Sequence, residues 1–202
     1  MPGELDRQIA EVVDAGNCAG CGACCLLDSG LAMRVNERGY SRPLRVRPAG
    51  PGTVTADFKR ICPGITVPAP RPKGVKRHPM LGASQRTWQA WAVDPEIRHR
   101  GSSGGTITAL VSWLLATGQV TEVVEAAKDE TDPLCTVSVS VRTPSAALAS
   151  AGSRYAPVSS AARATLGRAD VAFVGKPCEV AAVRALANES GQAAPLLISF
   201  FC

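Results

Sequence analysis

Five of the chain's eight cysteines lie within its first 62 residues, and four of those fall in one stretch, Cys18-Ala-Gly-Cys21-Gly-Ala-Cys24-Cys25. The C-x2-C-x2-C spacing lets three thiolates reach one face of an iron–sulfur cube from a short loop. Gly20 and Gly22 let the backbone turn between ligands, where a side chain would meet inorganic sulfide. A cube has four irons, so a fourth thiolate is needed. Cys62-Pro63 has the C-P form that ends such runs, set here far downstream. The expected ligands of a [4Fe-4S] cluster are therefore Cys18, Cys21, Cys24 and Cys62. Cys25 crowds the motif, so either Cys24 or Cys25 can serve as the third. Four thiolates also satisfy tetrahedral zinc. Disulfide pairing suits the compact spacing least, because nothing indicates a secretory context.

Two further stretches could handle an anion or a redox partner. Arg98-His-Arg100-Gly101-Ser102-Ser103-Gly104-Gly105 precedes an apolar helical segment. Ser102 or Ser103 is expected to cap that helix, and the free N–H groups and helix dipole would face an anion beside Arg98 and Arg100. The motif is neither a Walker A loop nor G-x-G-x-x-G, and the same residues read as a tight helix entry with solvated arginines. His99 is read as solvent-facing. Gly175-Lys176-Pro177-Cys178-Glu179 lies where a strand should give way to a helix, and ligands of open α/β sheets gather at such ends. Cys178 falls in the first helical turn, where the dipole and Lys176 favour a thiolate, so both are candidate cofactor contacts. The alternative for Cys178 is a small residue that packs the turn. Cys135 reads as a core residue of a strand, and Trp88 and Trp91 as core residues on one helical face.

The elements that must position these groups follow from periodicity. Leu5, Ile9, Val12 and Val13 have helical spacing, and Gly16 ends the pattern. Residues 32–40 read as a hairpin that turns at Asn36-Glu-Arg-Gly39. Pro43 to Pro79 holds eight of the 15 prolines, including the basic loop Arg71 to His78, and reads as irregular chain wrapped on a surface. Beyond residue 86 helical and strand patterns alternate: a helix over 107–115, strands over 120–127 and 134–141, a short helix over 161–166, a buried strand over 170–175, a helix from Pro177 to about Ala187, and a buried strand over 196–201. The last three make a βαβ unit. The expected fold class is α/β, α+β overall: an open mixed sheet with βαβ units, preceded by a small cysteine-rich, ferredoxin-like segment. The expected division is 1–85, a cysteine-rich cluster-binding region with a Pro-rich wrap, and 86–202, an open α/β layer, which the family resemblance given below would make the flavin-binding region.

The chain has 202 residues, is 46% hydrophobic and carries a net charge of +5, enough for one sizeable core with a small appendage. Charge is uneven: residues 34–100 hold 14 of the 22 Lys and Arg but only four of the 17 acids, or +10. That favours an anionic cofactor or an acidic partner, or a plainly solvated basic face. No aromatic residues interleave the basic ones, which argues against nucleic acid. The N-terminus has no basic and apolar leader, and no apolar stretch is long enough to span a bilayer. A soluble cytoplasmic protein without a membrane span is expected.

Together, several motifs resemble the coenzyme F420 hydrogenase/dehydrogenase beta subunits. They are Cys18-Ala-Gly-Cys-Gly-Ala-Cys24, Ile61-Cys-Pro-Gly64, Glu96-Ile-Arg-His-Arg-Gly-Ser-Ser-Gly-Gly105, Ser153-Arg-Tyr-Ala-Pro157, Phe173-Val-Gly-Lys-Pro-Cys-Glu179 and Ile198-Ser-Phe-Phe-Cys202. They occur in the family's order along essentially the whole chain, although members often read G-T-P-C where this chain has Gly175-Lys-Pro-Cys178. The resemblance implies an iron–sulfur flavoprotein oxidoreductase subunit. It would move electrons between a [4Fe-4S] cluster, FAD and a two-electron carrier such as coenzyme F420, with a redox partner subunit or electron-transfer protein. FAD is expected at Arg100 and Gly101–Gly105. Family members continue past the Phe-Cys stretch, so the chain is expected to be an N-terminal portion. Relatives act on other substrates, so a different substrate remains an alternative, as does a non-catalytic iron–sulfur or zinc-binding module. No general base is assigned.

Overall fold

A computed structural model describes residues 3–69, 73–80 and 82–200. Arg71 of the basic loop, and Phe201 and Cys202 of the terminal motif, lie outside the described residues. Helix α1 (Glu4–Asp14) buries Ile9 and Val12 on one face, as the spacing predicts. The hairpin β1 (Leu31–Val35) and β2 (Ser41–Arg45) turns where expected. Asn36 Oδ1 accepts from the amides of Arg38 and Tyr40 at 3.1 and 2.9 Å, an Asx turn that closes the loop.

A short helix α2 (Phe58–Ile61) interrupts the proline-rich stretch. Asp57 caps it by accepting from Lys59 N–H at 3.0 Å. The four residues are too few to show a helical period, and burial of Phe58 and Ile61 holds them. A two-residue pairing of β3 (Arg77–His78) with β4 (Gly82–Ala83) follows. Helix α3 (Pro95–Arg100) then opens on the Asp94 cap, and α4 (Thr106–Ala116) follows the glycine loop.

The main sheet runs in the order β6 (Thr136–Val141), β5 (Glu122–Lys128), β7 (Val171–Gly175), β8 (Leu196–Ser199). β5, β7 and β8 are parallel, and β6 is antiparallel to β5. The fold is therefore α/β with a mixed sheet. Helix α6 (Pro177–Ser190) joins β7 to its neighbour β8, completing the expected βαβ unit. α5 (Pro144–Ala149) was not anticipated from periodicity; Thr143 caps it.

Each face of the sheet has its own core. Val123, Val141, Ala172 and Val174 meet Val111 and Leu114 of α4 and Ala147 of α5. Val124 and Phe173 point the other way, against Val180, Val183 and Leu186 of α6. That second core also contains Ile9, Val12, Phe58, Ile61, Cys24 and Cys62. The cysteine segment thus sits on the α6 side of the sheet and shares its hydrophobic burial. Among the described residues no helix is long and apolar enough to cross a membrane.

Three expectations need correction. Cys135 is exposed ahead of β6, and its thiol donates to Asp132 Oδ2 at 3.1 Å, so it is not core. Trp88 and Trp91 lie in extended chain at 76% and 57% exposure, because α3 begins only at Pro95. The α4 N-cap is Gly105 in a left-handed conformation, with no side-chain cap from serine. Ser102 Oγ instead accepts from Ser153 N–H at 3.0 Å.

Candidate functional site

Cys18, Cys21, Cys24 and Cys62 line one apolar hollow, together with Ile9, Phe58, Ile61, Met33 and Pro43. Two segments more than 30 residues apart supply its sulfurs. The reason is α2: with Phe58 and Ile61 buried, its end delivers Cys62 to the loop, and Cys62 N–H closes the helix on Phe58 O at 2.9 Å. Cys25 does not line the hollow. It is hydrogen-bonded to Cys24, which that bond and then burial raise well above the usual thiol range, while Cys25 is lowered. Burial pushes Cys21 up to about 12, and the nearby Cys178, Cys62 and Cys18 add to this. Burial likewise raises Cys62. The upward shifts at Cys21, Cys24 and Cys62 favour the protonated thiol, so a metal centre must expel those protons on binding. Among the described residues, no three His, Cys, Asp or Glu side chains converge on a single-ion position.

The glycines of the loop have reasons beyond any ligand. Gly20 is left-handed at φ +68, and a Cβ there would come within 2.8 Å of Ser41 O. Gly22, at φ +89, faces Ala162 and Ser159, and a Cβ would lie 2.9 Å from Ala162 Cβ. The close approach is to protein, where the spacing argument had invoked sulfide.

A hydrogen-bond chain that no sequence motif reveals fixes this loop. Ser159 Oγ donates to Gly20 O at 2.7 Å and lies 2.7 Å from Ser41 Oγ. Ala161 N–H donates to Cys21 O at 3.2 Å. Glu179, 1% exposed, accepts from Ser160 N–H at 2.8 Å and Lys176 N–H at 2.9 Å. Lys176 Nζ pairs with Glu179 at 3.1 Å and donates to Val158 O at 2.7 Å. The β7–α6 turn is thereby tied to the cysteine loop. The available signal was Glu179 three residues after Lys176, the N3 position of a capping box.

The glycine loop is built differently from the expectation. Gly104 O accepts from Ala92 N–H at 2.7 Å. Side chains at Gly101, Gly104 and Gly105 would meet the backbone or Cβ of residues 91, 97 and 105 within 3 Å. Arg100 pairs with Glu96 at 3.5 Å, and Ser102 and Ser103 are exposed. Ser103 alone among described non-glycine residues has positive φ, +49. Neither cavity described here is lined by residues 100–105.

A second, open cavity of about 870 Å³ adjoins the cysteine hollow, sharing Cys18, Ala19 and Gly20. Its charged lining is Arg38, Arg42, Lys176 and Asp14, and Tyr40 stands at its wall. Arg42 lies over the Tyr40 ring, 4.9 Å from its centroid. Of the two turn candidates, Lys176 lines this cavity, and Cys178 lies near Cys21.

Comparison with known proteins bears on residues 87–164, which match the family model of coenzyme F420 hydrogenase/dehydrogenase, beta subunit N-term. Among solved structures, a chain of the F420-reducing [NiFe] hydrogenase complex from Methanosarcina barkeri is similar at 23% identity and a TM-score of 0.47. The match covers 55% of this chain and 42% of that one, so this chain spans less than half of the solved chain. No curated protein matches.

Proposed function

We propose, from the match of residues 87–164 to the coenzyme F420 hydrogenase/dehydrogenase beta-subunit family model, that this chain is a member of that family and a cytoplasmic iron–sulfur flavoprotein subunit of an oxidoreductase complex. The observation that carries this reading is the hollow lined by four cysteines from two distant segments. Its donor set fits a [4Fe-4S] cluster: four thiols, an apolar wall and a glycine-turned loop. Cys18, Cys21, Cys24 and Cys62 would hold the cluster. Cys24 and Cys62 are buried and Cys18 and Cys21 half-buried, so the protein would shield much of the cluster from water, and the chain from Glu179 through Ser159 holds the loop's carbonyls in place.

For FAD, the proposed contact is the loop Arg100–Gly105 at the start of α4. Strain supports this: a left-handed serine on an exposed loop carries a conformational cost that functional sites tend to retain. Arg100, half exposed, would offset a pyrophosphate. Bound together, the cofactors would supply hydride chemistry at the flavin and one-electron transfer at the cluster, with a carrier such as F420 as substrate. A partner subunit would take or deliver the single electrons.

Anaerobic purification followed by iron, sulfide and flavin analysis tests the proposal. About four irons with acid-labile sulfide and bound flavin are expected. Cys62→Ser should lower iron as far as Cys21→Ser does, and Cys25→Ser should spare it. Colourless protein with one zinc would replace this reading with a structural zinc module.

A further inference from the structure

We propose that the outer edge of β6 docks a second copy of this chain, the two β6 strands pairing antiparallel about a two-fold axis at Val139 and joining two four-stranded sheets into one. β6 is the last strand on its side of the main sheet and pairs with β5 alone. Among the described residues no other strand and no loop backbone bonds its outer side. Successive residues of a strand turn their N–H and C=O groups to alternate sides, so about half of Thr136–Val141 leave these groups unpaired. The chain that returns from α5 does not cover them. Arg154 donates to Pro133 O at 2.6 Å, Cys135 O at 3.0 Å and Thr136 Oγ1 at 3.3 Å, so the returning chain crosses at the entry to β6 and not along its length.

An open edge is normally blunted by charge, proline, a bulge or shortness. Elsewhere this chain does so. In the β1–β2 hairpin, where both strands are edges, Arg34 stands directly opposite Arg42, and Pro43 follows. β8, at the far side of the main sheet, has four residues. β6 has none of these devices: Thr-Val-Ser-Val-Ser-Val is uncharged, free of proline, and in unbroken register with β5. The strand is also complementary to itself. A two-fold axis at Val139 sets Val137 opposite the second copy's Val141, and Ser138 opposite its Ser140. Valine then meets valine on the face that Val139 and Val141 turn to α4 and α5, and serine meets serine on the other. Ser138 Oγ is buried without a partner in its own chain, and hydroxyl side chains directly opposite each other across strands hydrogen-bond. Charge fits a second copy as well. The strand brings no charge to the axis, and Arg142 beyond its end falls opposite the second copy's Thr136 and is already paired with Glu122 at 3.0 Å. A copy of β6 meets all of these requirements by symmetry, whereas a strand of an unrelated protein must match each one separately. The inference stands independently of any cofactor.

Sedimentation of the anaerobically prepared full chain over a range of concentrations, with hydrogen exchange read across residues 136–141, tests this. A monomer–dimer equilibrium is expected, and the outward-facing β6 amides should become protected as the dimer fills. Thr136→Lys sets a lysine opposite Arg142 of the second copy, twice per dimer, and should weaken dimerisation about two- to thirtyfold. Thr136→Glu sets a carboxylate at the same place and should tighten it by a similar factor. Circular dichroism of both variants should match the parent, which separates loss of pairing from loss of fold. Should Thr136→Lys not fold, the tightening by Thr136→Glu and the concentration-dependent protection decide the matter. A chain that stays monomeric throughout, a dimer whose β6 amides exchange as fast as the monomer's, or a dimer indifferent to the charge at position 136 overturns the proposal.

Discussion

Glu125 gives the sharpest prediction. It lies on β5 at 8% exposure, on the same sheet face as Val123, and its Oε1 has no hydrogen-bond partner. Burial raises its carboxyl from an ordinary 4.5 to about 7, and a hydrogen bond with Ser150 offsets part of that. A raised folded-state pKa means that the stabilising contribution is complete below 4.5 and is lost as pH rises through about 7. At about 1.4 kcal/mol per pH unit the loss is about 3 kcal/mol. Glu125→Gln cannot ionise and should escape that loss. Urea unfolding of both proteins between about pH 4.5 and 8 should give a widening gap, with the variant the more stable above pH 7 by up to about 3 kcal/mol. The difference between the two proteins removes the titration of all other groups. A gap that stays constant with pH would refute the reasoning, since Glu125 would then be titrating as a solvated carboxylate.

Glu179→Ala should cost about 3 kcal/mol or more, because it strands Lys176 and the Ser160 amide, and it should lower iron loading through the slackened cysteine loop; chemical denaturation and iron analysis check both. Asp28 is held below the usual carboxylate range by Arg45 and by the amides of Gly50 and Gly30; its contribution is present above pH 3.8 and lost towards acid, so Asp28→Asn should destabilise strongly at pH 6 and progressively less on acidification. Ser103→Gly should raise stability by up to about 1 kcal/mol by relieving the left-handed conformation, read by thermal melting. Ile61→Ala opens a cavity beside the cysteine hollow and should cost about 2–5 kcal/mol, with cluster loading reduced in parallel.

Much of this protein was legible from local pattern. Hydrophobic period placed α1, α4, α6 and all four strands of the main sheet, because each buries one face or a continuous run and says so in sequence. The cysteine spacing marked the loop, and Cys62-Pro63 marked a distant cysteine that lines the same hollow. The hairpin turn was readable from Asn36 and Gly39, whose side chain and conformational freedom act within five residues.

Tertiary structure decided what depends on distant neighbours. Whether Cys62 meets Cys18 is set by burial of Phe58 and Ile61 against α6, which no four-residue pattern encodes. The glycines at 20 and 22 are required by Ser41 and Ala162, residues far off in sequence. Trp88 and Trp91 have helical spacing, yet helix starts only at the Asp94–Pro95 signal, so their spacing meant nothing. Glu179 looks like a local cap in sequence and becomes the tie between sheet and cysteine loop only when Ser160 folds onto it. The Arg34–Arg42 juxtaposition exists only in the paired register, since charges eight positions apart in an extended chain do not feel each other, and across a ladder they do.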